Sequence, residues 1–270
     1  MFRKVLVAAG GGSCSAERTA ERLRELLPEV ETEVFHLDPA KPADLLDELL
    51  QRAAAMPADL LVVGARRHVT ARRVAMLAPC SVLMVPDDAV LQLERILVPV
   101  DFSEASADAV SAGTALARAA GGECHFVSVE CDDDPWLDWR DQPEQLSTRL
   151  REFVRDAGGE PAWNTCLVEA IQHSGDALAD VGLHAPAHAI EGADIASTIV
   201  STAAAEKSTV IVLGTRGRSR AASILVGSVT EKVIQFSQLP VLAVKQRGAR
   251  LGLLRGLLER LRRPPTLVAS

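Results

Sequence analysis

The sequence predicts an α/β fold made of two tandem open parallel-sheet sandwiches, the first of them shortened. Aliphatic runs of five or six residues alternate with longer segments of helical periodicity, which is typical of βαβ units and a parallel sheet. Hydrophobic residues make up 48% of the 270-residue chain but aromatic ones only 3%. The core is therefore expected to consist of Ala, Val, Leu and Ile, as in sheets buried on both faces. The prediction of two units rests on a similarity between the two halves of the chain.

That similarity covers both ends of each half. Three pairs of segments match in residue type and order: Lys4–Val7 with Arg95–Val98, Asp59–Gly64 with Thr209–Gly214, and Ser81–Val85 with Pro240–Val244. Self-similarity of this kind indicates an internal repeat. We therefore expect a shortened domain at 1–88, a full domain at 93–245 and a tail at 246–270.

The elements follow in order from the local patterns. In the first domain we expect strands at 4–7, 59–64 and 81–85, with a helix over 15–27. In the second domain the expected strands are 95–100, 124–129, 187–191, 209–213 and 240–244. The helices expected there are 104–120, 143–157, 193–206 and 220–236. The stretch 131–186 opens as an acidic loop and is the hardest to assign, and the first domain is one strand–helix unit shorter.

Glycines after the strand at 209–213 indicate a phosphate site. Gly214-Thr215-Arg216-Gly217 is followed, after nine residues, by Gly227-Ser228-Val229-Thr230. Glycine lets backbone N–H groups approach a phosphate closely because it has no Cβ. The helix that begins near the second group adds the positive end of its dipole. This pattern predicts an anion-binding cradle at the carboxyl edge of a parallel sheet, where ligands of such folds bind.

Asp101 ends the first strand of the second domain and is expected at the same edge. A carboxylate there can accept hydrogen bonds from an adenine amino group or a ribose hydroxyl. It can also cap the helix that starts near Ser103, and the two roles are compatible. No P-loop motif and no catalytic triad are identifiable in the chain.

Residues 93–245 resemble a universal stress protein domain of the ATP-binding kind. The resemblance lies in Pro99-Val100-Asp101, in the glycine pattern and in the closing strand 240–244. It implies an adenine-nucleotide α-hydrolase-like sandwich that binds ATP, with or without Mg²⁺. The residues implied around the adenosine are Pro99, Asp101 and Val129. Those implied at the phosphates are Gly214, Arg216, Gly217, Gly227, Ser228, Val229 and Thr230.

The whole chain resembles a tandem universal stress protein. This resemblance implies that strands 81–85 and 240–244 pair across a pseudo-two-fold axis. One chain would then be an intrachain pseudo-dimer, equivalent to the usual dimer of the family, and a further homodimer of chains stays open.

The first domain departs from the nucleotide-binding pattern. It has Gly10 where the second has Asp101, and no second glycine follows Gly64 closely. The interval from Gly64 to Val82 is 18 residues, nine fewer than the 27 from Gly214 to Val241. We therefore expect one nucleotide site per chain and a degenerate first domain that serves as a structural partner.

Charge and cysteine content limit the class of protein. The net charge is -7, but 245–263 carries seven Lys or Arg and one Glu, so the body is more acidic still. An acidic body argues against nucleic-acid binding. Five cysteines without C-x-x-C spacing fit a reducing, cytoplasmic compartment and predict no metal site. The basic amphipathic segment 247–263 is expected to contact a membrane surface, a protein partner or its own acidic body.

Three functional hypotheses remain from the sequence. The leading one is a nucleotide-binding regulatory or stress-response module. The second is a slow ATPase or phosphotransfer enzyme, for which Glu231 and Asp101 are the candidate bases. The third is an adaptor without a ligand, in which the long stretch 131–186 blocks the pocket.

Overall fold

The computed structural model describes residues 2–10, 14–37, 45–55, 58–64, 68–131, 143–160, 163, 165–170, 194–215 and 227–245. Nine strands and seven helices lie in these ranges. The first seven elements are β1 (Lys4–Gly10), α1 (Cys14–Leu26), β2 (Glu31–Leu37), α2 (Leu45–Ala55), β3 (Leu60–Gly64), α3 (His68–Leu77) and β4 (Ser81–Val85). The remaining nine are β5 (Arg95–Pro99), α4 (Glu104–Ala120), β6 (Glu123–Cys131), α5 (Pro143–Asp156), β7 (Thr165–Ala170), α6 (Ile195–Ala205), β8 (Val210–Gly214), α7 (Ser228–Phe236) and β9 (Val241–Val244).

All nine described strands belong to one sheet of order β2-β1-β3-β4-β9-β8-β5-β6-β7. Neighbouring strands run parallel on each side of β4 and β9, and these two pair antiparallel. The order read from β2 to β4 equals the order read from β6 to β9, with β7 added outside. This confirms the predicted α/β fold with parallel sheets.

The antiparallel pair β4–β9 joins the two halves. Leu83 lies opposite Leu242, with Val82 opposite Ala243 on one side and Met84 opposite Val241 on the other. The expected pairing of the two closing strands is thus confirmed, and Leu83 and Leu242 mark the local pseudo-two-fold axis.

Helices cover both faces of the sheet. Because strand side chains alternate between faces, Ile96 and Val98 belong to one buried cluster while Leu97 belongs to the other. Helices α1, α4 and α5 contribute residues to the first cluster. Helices α2, α3, α6 and α7 contribute residues to the second. Both clusters continue across the β4–β9 pair, since Leu83 and Leu242 share one and Met84 and Val241 share the other. The core is therefore continuous between the halves.

The same contacts recur where the first strand of each half begins. Lys4 Nζ lies 3.2 Å from Glu31 Oε1, and Arg95 Nε lies 3.6 Å from the matching Glu123 Oε1. The amide of Asp59 donates to the Lys4 carbonyl at 2.9 Å, as the amide of Thr209 donates to the Arg95 carbonyl at 2.8 Å. The sequence similarity between the halves thus corresponds to equal hydrogen bonding and pairing.

The observed elements differ from the expected ones in a few places. The predicted helix over 15–27 begins at Cys14, and a strand at 165–170, within the stretch that was hardest to assign, is the edge strand β7. The strand expected at 187–191 and the start of the helix expected at 220–236 lie outside the described residues. The tail at 246–270 also lies outside them.

Candidate functional site

Three neighbouring strands bring the predicted site residues to one edge of the sheet. β5 pairs in parallel with β8 on one side and with β6 on the other. Pro99 lies opposite Val127, so the register places Val129 level with Asp101. Gly214 ends β8 at the same, carboxyl, edge. Pro99, Asp101, Val129 and Gly214, which are predicted from the sequence, therefore lie at the same edge of the sheet.

Asp101 organises the turn between β5 and α4. Its Oδ1 accepts hydrogen bonds from the Ser103 amide at 3.0 Å and from the Ser103 hydroxyl at 2.5 Å. Ser103 in turn is the N-cap of α4, since its Oγ accepts from the Ser106 amide at 3.2 Å. The expected capping role is thus real but indirect, because Asp101 holds the residue that caps the helix. Asp101 is half-buried at this edge of the sheet.

Gly214 is required by the packing of β8 against α4. A Cβ at this position would lie 2.5 Å from the carbonyl oxygen of Ala105 and 2.7 Å from its carbonyl carbon. Backbone atoms cannot move aside as a flexible side chain can. The glycine therefore allows the end of the strand to approach the first turn of α4, independently of any ligand.

The N-terminus of α7 differs from those of α4 and α6. Ser103 caps α4 and Asp194 caps α6, each by accepting a hydrogen bond from a backbone amide of the first turn. The N-cap of α7 is Gly227, in extended conformation (φ -60°, ψ 149°), which has no side chain with which to cap the helix. The first N–H groups of a helix have no partner within the helix. Together with the helix dipole, they make this end suited to an anion.

Hydrogen bonds fix α7 to the end of β8. The Thr230 hydroxyl donates to the Gly214 carbonyl at 2.8 Å, and the Gly227 amide donates to the Thr215 carbonyl at 2.9 Å. The buried Thr230 hydroxyl therefore ties the helix to the strand. The group of Thr230 that suits the predicted phosphate contact is its backbone N–H. Val229 packs partly into the core, whereas Ser228 is exposed.

Thr215 also helps to hold the elements of the candidate site together, although it was not among the predicted site residues. It is buried, its amide donates to the Val244 carbonyl at 3.1 Å, and its carbonyl accepts from Gly227. It thus connects β8, β9 and α7. Its position directly after the first glycine of the pattern was the available signal. Arg216 and Gly217, which complete the expected cradle, lie outside the described residues.

Charged groups surround the helix ends at this edge. Lys232 on α7 contacts Oδ2 of Asp194, and this hydrogen bond is the main reason why the pKa of Asp194 lies below its usual range. Burial, and secondarily Glu104, raises the pKa of Asp108 on α4.

Within the described ranges, no group of three or more His, Cys, Asp or Glu side chains is arranged to hold a metal ion. No helix in those ranges is long and apolar enough to cross a membrane.

Comparisons with known proteins agree with this architecture. A universal stress protein of Methanocaldococcus jannaschii is 29% identical over 154 residues, which cover 57% of this chain and 82% of that protein. A universal stress protein from Archaeoglobus fulgidus has a similar structure, with a TM-score of 0.57 and 16% identity over 90% of this chain and 96% of its own. A functionally unknown protein from Pseudomonas aeruginosa PAO1 gives a TM-score of 0.56 and 17% identity over 96% of this chain and 98% of its own.

Shorter universal stress proteins are also similar, with lower TM-scores. One was solved in complex with cAMP, with a TM-score of 0.37 and 18% identity, and covers 56% of this chain and 97% of its own. Another, from Archaeoglobus fulgidus, was solved in complex with dAMP, with a TM-score of 0.36 and 17% identity over 58% of this chain and 100% of its own.

The family model for universal stress proteins matches residues 92–245. These residues contain β5 to β9 and α4 to α7, together with the edge of the sheet at which the candidate site lies. The match covers more than half of the chain and coincides with the second of the two expected domains. The chain belongs to the universal stress protein family.

Proposed function

We propose that the second domain, residues 93–245, binds ATP and acts as a nucleotide-dependent regulatory module of stress-response type. The observation that carries the proposal is the N-terminus of α7, where Gly227 provides no capping side chain at the ligand-binding edge of the sheet. Two other helices at that edge are capped by Ser103 and Asp194. An anionic ligand would accept hydrogen bonds from the first N–H groups of α7, as these side chains do for α4 and α6.

In this proposal, one set of residues binds the adenosine and another binds the phosphates. Pro99, Asp101 and Val129 would surround the adenosine, because all three lie at the carboxyl ends of the neighbouring strands β5 and β6. Backbone N–H groups of Ser228, Val229 and Thr230 would bind phosphate oxygens, together with Arg216 and Gly217 as the sequence predicts. Mg²⁺, when bound with ATP, would offset the charge of the phosphates. In this proposal the protein residues orient and retain the nucleotide.

Binding is favoured over turnover because both candidate bases have places in the fold. Asp101 Oδ1 accepts two hydrogen bonds from Ser103 and so organises the turn between β5 and α4. Glu231 lies in the first turn of α7, where an acidic side chain suits the positive end of the helix dipole. A slow ATPase remains the alternative, and a loss of turnover in Glu231→Gln would support it.

The first domain, residues 1–88, is proposed to be a shortened second copy of the same unit. Its support is the repeated pairing Lys4–Glu31 and Arg95–Glu123 and the antiparallel β4–β9 pair. We propose that it replaces the partner subunit of a dimer and binds no nucleotide. We further propose a cytoplasmic protein whose basic segment 247–263 contacts a membrane surface or a partner protein.

The test is to purify the full chain under native conditions and identify any bound small molecule by mass spectrometry. We expect an adenine nucleotide at no more than one equivalent per chain. If none copurifies, addition of millimolar Mg-ATP should raise the melting temperature. A protein with neither bound nucleotide nor thermal shift would contradict the proposal and favour an adaptor without a ligand.

A further inference from the structure

Phe102, the residue between Asp101 and Ser103, has an unusual backbone. Its φ is 62°, in the left-handed region that residues with a Cβ rarely adopt. Lys207, with a φ of 52°, is the other described non-glycine residue with positive φ. Strained residues of this kind persist only where surrounding contacts hold them. The contacts that hold Phe102 therefore bear on the geometry of its two neighbours.

Two of those contacts come from one helix, α5. The Phe102 ring meets the Phe153 ring edge-on, with centroids 5.4 Å apart and planes at 77°. The guanidinium carbon of Arg149 lies 4.5 Å from the centroid of the Phe102 ring. Arg149 and Phe153 are four residues apart and so share one face of α5. Aromatic pairs and cation–π contacts are both attractive at these distances, so the ring is fixed on two sides.

The Phe102 backbone in turn determines where the Asp101 carboxylate lies. Asp101 Oδ1 reaches back over Phe102 to the amide and hydroxyl of Ser103. This short ring of bonds spans Phe102, so its geometry depends on the backbone conformation of that residue. Phe102 thus connects α5 to the one carboxylate that is expected to face the nucleoside.

We propose that Phe102, held by Arg149 and Phe153, is the positioning residue that sets the selectivity of the site for adenine, by fixing the Asp101 carboxylate where it can accept a hydrogen bond from the exocyclic amino group. The inference rests on the proposed function. Phe102 itself need not touch the nucleotide. The consequence is that α5, which lies outside the glycine pattern, contributes to base selectivity through Phe102.

The test compares dissociation constants of the full chain for ATP and ITP by calorimetry. ITP has an oxo group in place of the amino group, so a fixed carboxylate opposite it would bind ITP about 10–100-fold more weakly than ATP. In Phe102→Ala the ratio should fall to about threefold or less. Phe102→Tyr keeps the ring and should keep the ratio, and Arg149→Met should give an intermediate ratio. Lys207→Gly, at the other positive φ, serves as the control and should leave the ratio unchanged.

A double variant separates positioning from mere packing. Asp101→Asn should abolish the ratio, because an amide can accept from the amino group of ATP or donate to the oxo group of ITP. Adding Phe102→Ala to that variant should then change the ratio no further. A Phe102→Ala protein that melts earlier but keeps the wild-type ratio would overturn the proposal, since the ring would then only stabilise the fold. Equal affinities of the wild type for ATP and ITP would also overturn it, while leaving nucleotide binding intact. Failure of the proposed function itself would be recognised by the absence of any ATP binding to the wild type.

Discussion

At the scale of single residues, two glycines and a threonine of the sequence motif have different structural roles. Gly214 allows β8 to approach α4, Gly227 opens α7 without a cap, and Thr230 ties these two elements together. The motif predicted all three positions. It did not separate packing from binding, because the spacing of residues does not reveal which backbone atoms face Gly214 and which face a ligand.

Gly214→Ala should destabilise the fold even when no nucleotide is present. The new Cβ would lie 2.5 Å from the carbonyl oxygen of Ala105, and neither backbone can yield easily. Overpacking of this kind costs about 1–3 kcal/mol, which is a decrease in melting temperature of several degrees. Thermal unfolding of the nucleotide-free protein measures it. An unchanged melting temperature would contradict the packing role assigned to Gly214.

Two buried cysteines should be chemically inert in the native protein. Burial raises the pKa of Cys80 to about 11 and that of Cys124 to about 12. Because the thiolate is the reactive form, iodoacetamide at pH 8 should label neither residue until the chain is denatured. Peptide mapping by mass spectrometry checks this. Rapid native labelling of Cys124 would contradict the described packing against the core.

At the scale of elements, the described helices of the second domain were predicted more accurately than the outer strands β2 and β7, which were not predicted. The Ala-rich pattern after Ser103 gave α4 with its observed bounds, because a cap and a continuous apolar face specify a helix locally. The edge strand β7 was missed, since it lies in a stretch without a clear period and is defined only by pairing with β6. Pairing between distant segments is not visible in local periodicity.

The contact between α6 and α7 should make stability depend on pH. The hydrogen bond from Lys232 lowers the pKa of Asp194, which also caps α6 by accepting from the Ser197 amide at 2.9 Å. A lowered native pKa means that this contribution is complete above the unfolded value of about 4. It is lost as the pH falls through the native value.

Two variants separate the contributions of cap and ion pair. Asp194→Asn keeps a capping side chain but removes the charge, and Lys232→Met removes only the ion pair. Each should cost about 0.2–1 kcal/mol at pH 7, since the pair is partly exposed. The cost should be smaller at pH 2, which lies below the unfolded value of about 4. Denaturant unfolding at both pH values measures it. A cost that stays constant down to pH 2 would refute the assignment.

At the scale of the whole molecule, the sheet is one continuous body. Both buried clusters extend across the β4–β9 pair, so a substitution that removes packing at Leu83 should destabilise both halves. Leu83→Ala should cost about 2–5 kcal/mol as a buried large-to-small substitution. Hydrogen exchange should then show reduced protection in β8 and β9 as well as in β3 and β4. A loss of protection confined to residues 1–88 would indicate two independent domains.

The central claim is that a nucleotide phosphate binds at the N-terminus of α7, and Gly227→Asp tests it most directly. An aspartate N-cap should leave the nucleotide-free protein at least as stable as the wild type, gaining a few tenths of a kcal/mol from the cap and about 0.3–1 kcal/mol from the helix dipole. Its carboxylate would occupy the same N–H groups and repel the phosphates. Gln51→Glu, on the exposed side of α2, adds the same charge elsewhere and is the control.

The decisive measurement is the rise in melting temperature on addition of Mg-ATP. At about 100 times the dissociation constant, ATP should raise the melting temperature of the wild type and of Gln51→Glu by roughly 5–10 °C. Gly227→Asp should show no rise, with an unchanged or higher melting temperature before ATP is added. A Gly227→Asp protein that ATP stabilises as much as the wild type would contradict the account, because the phosphates would then bind elsewhere.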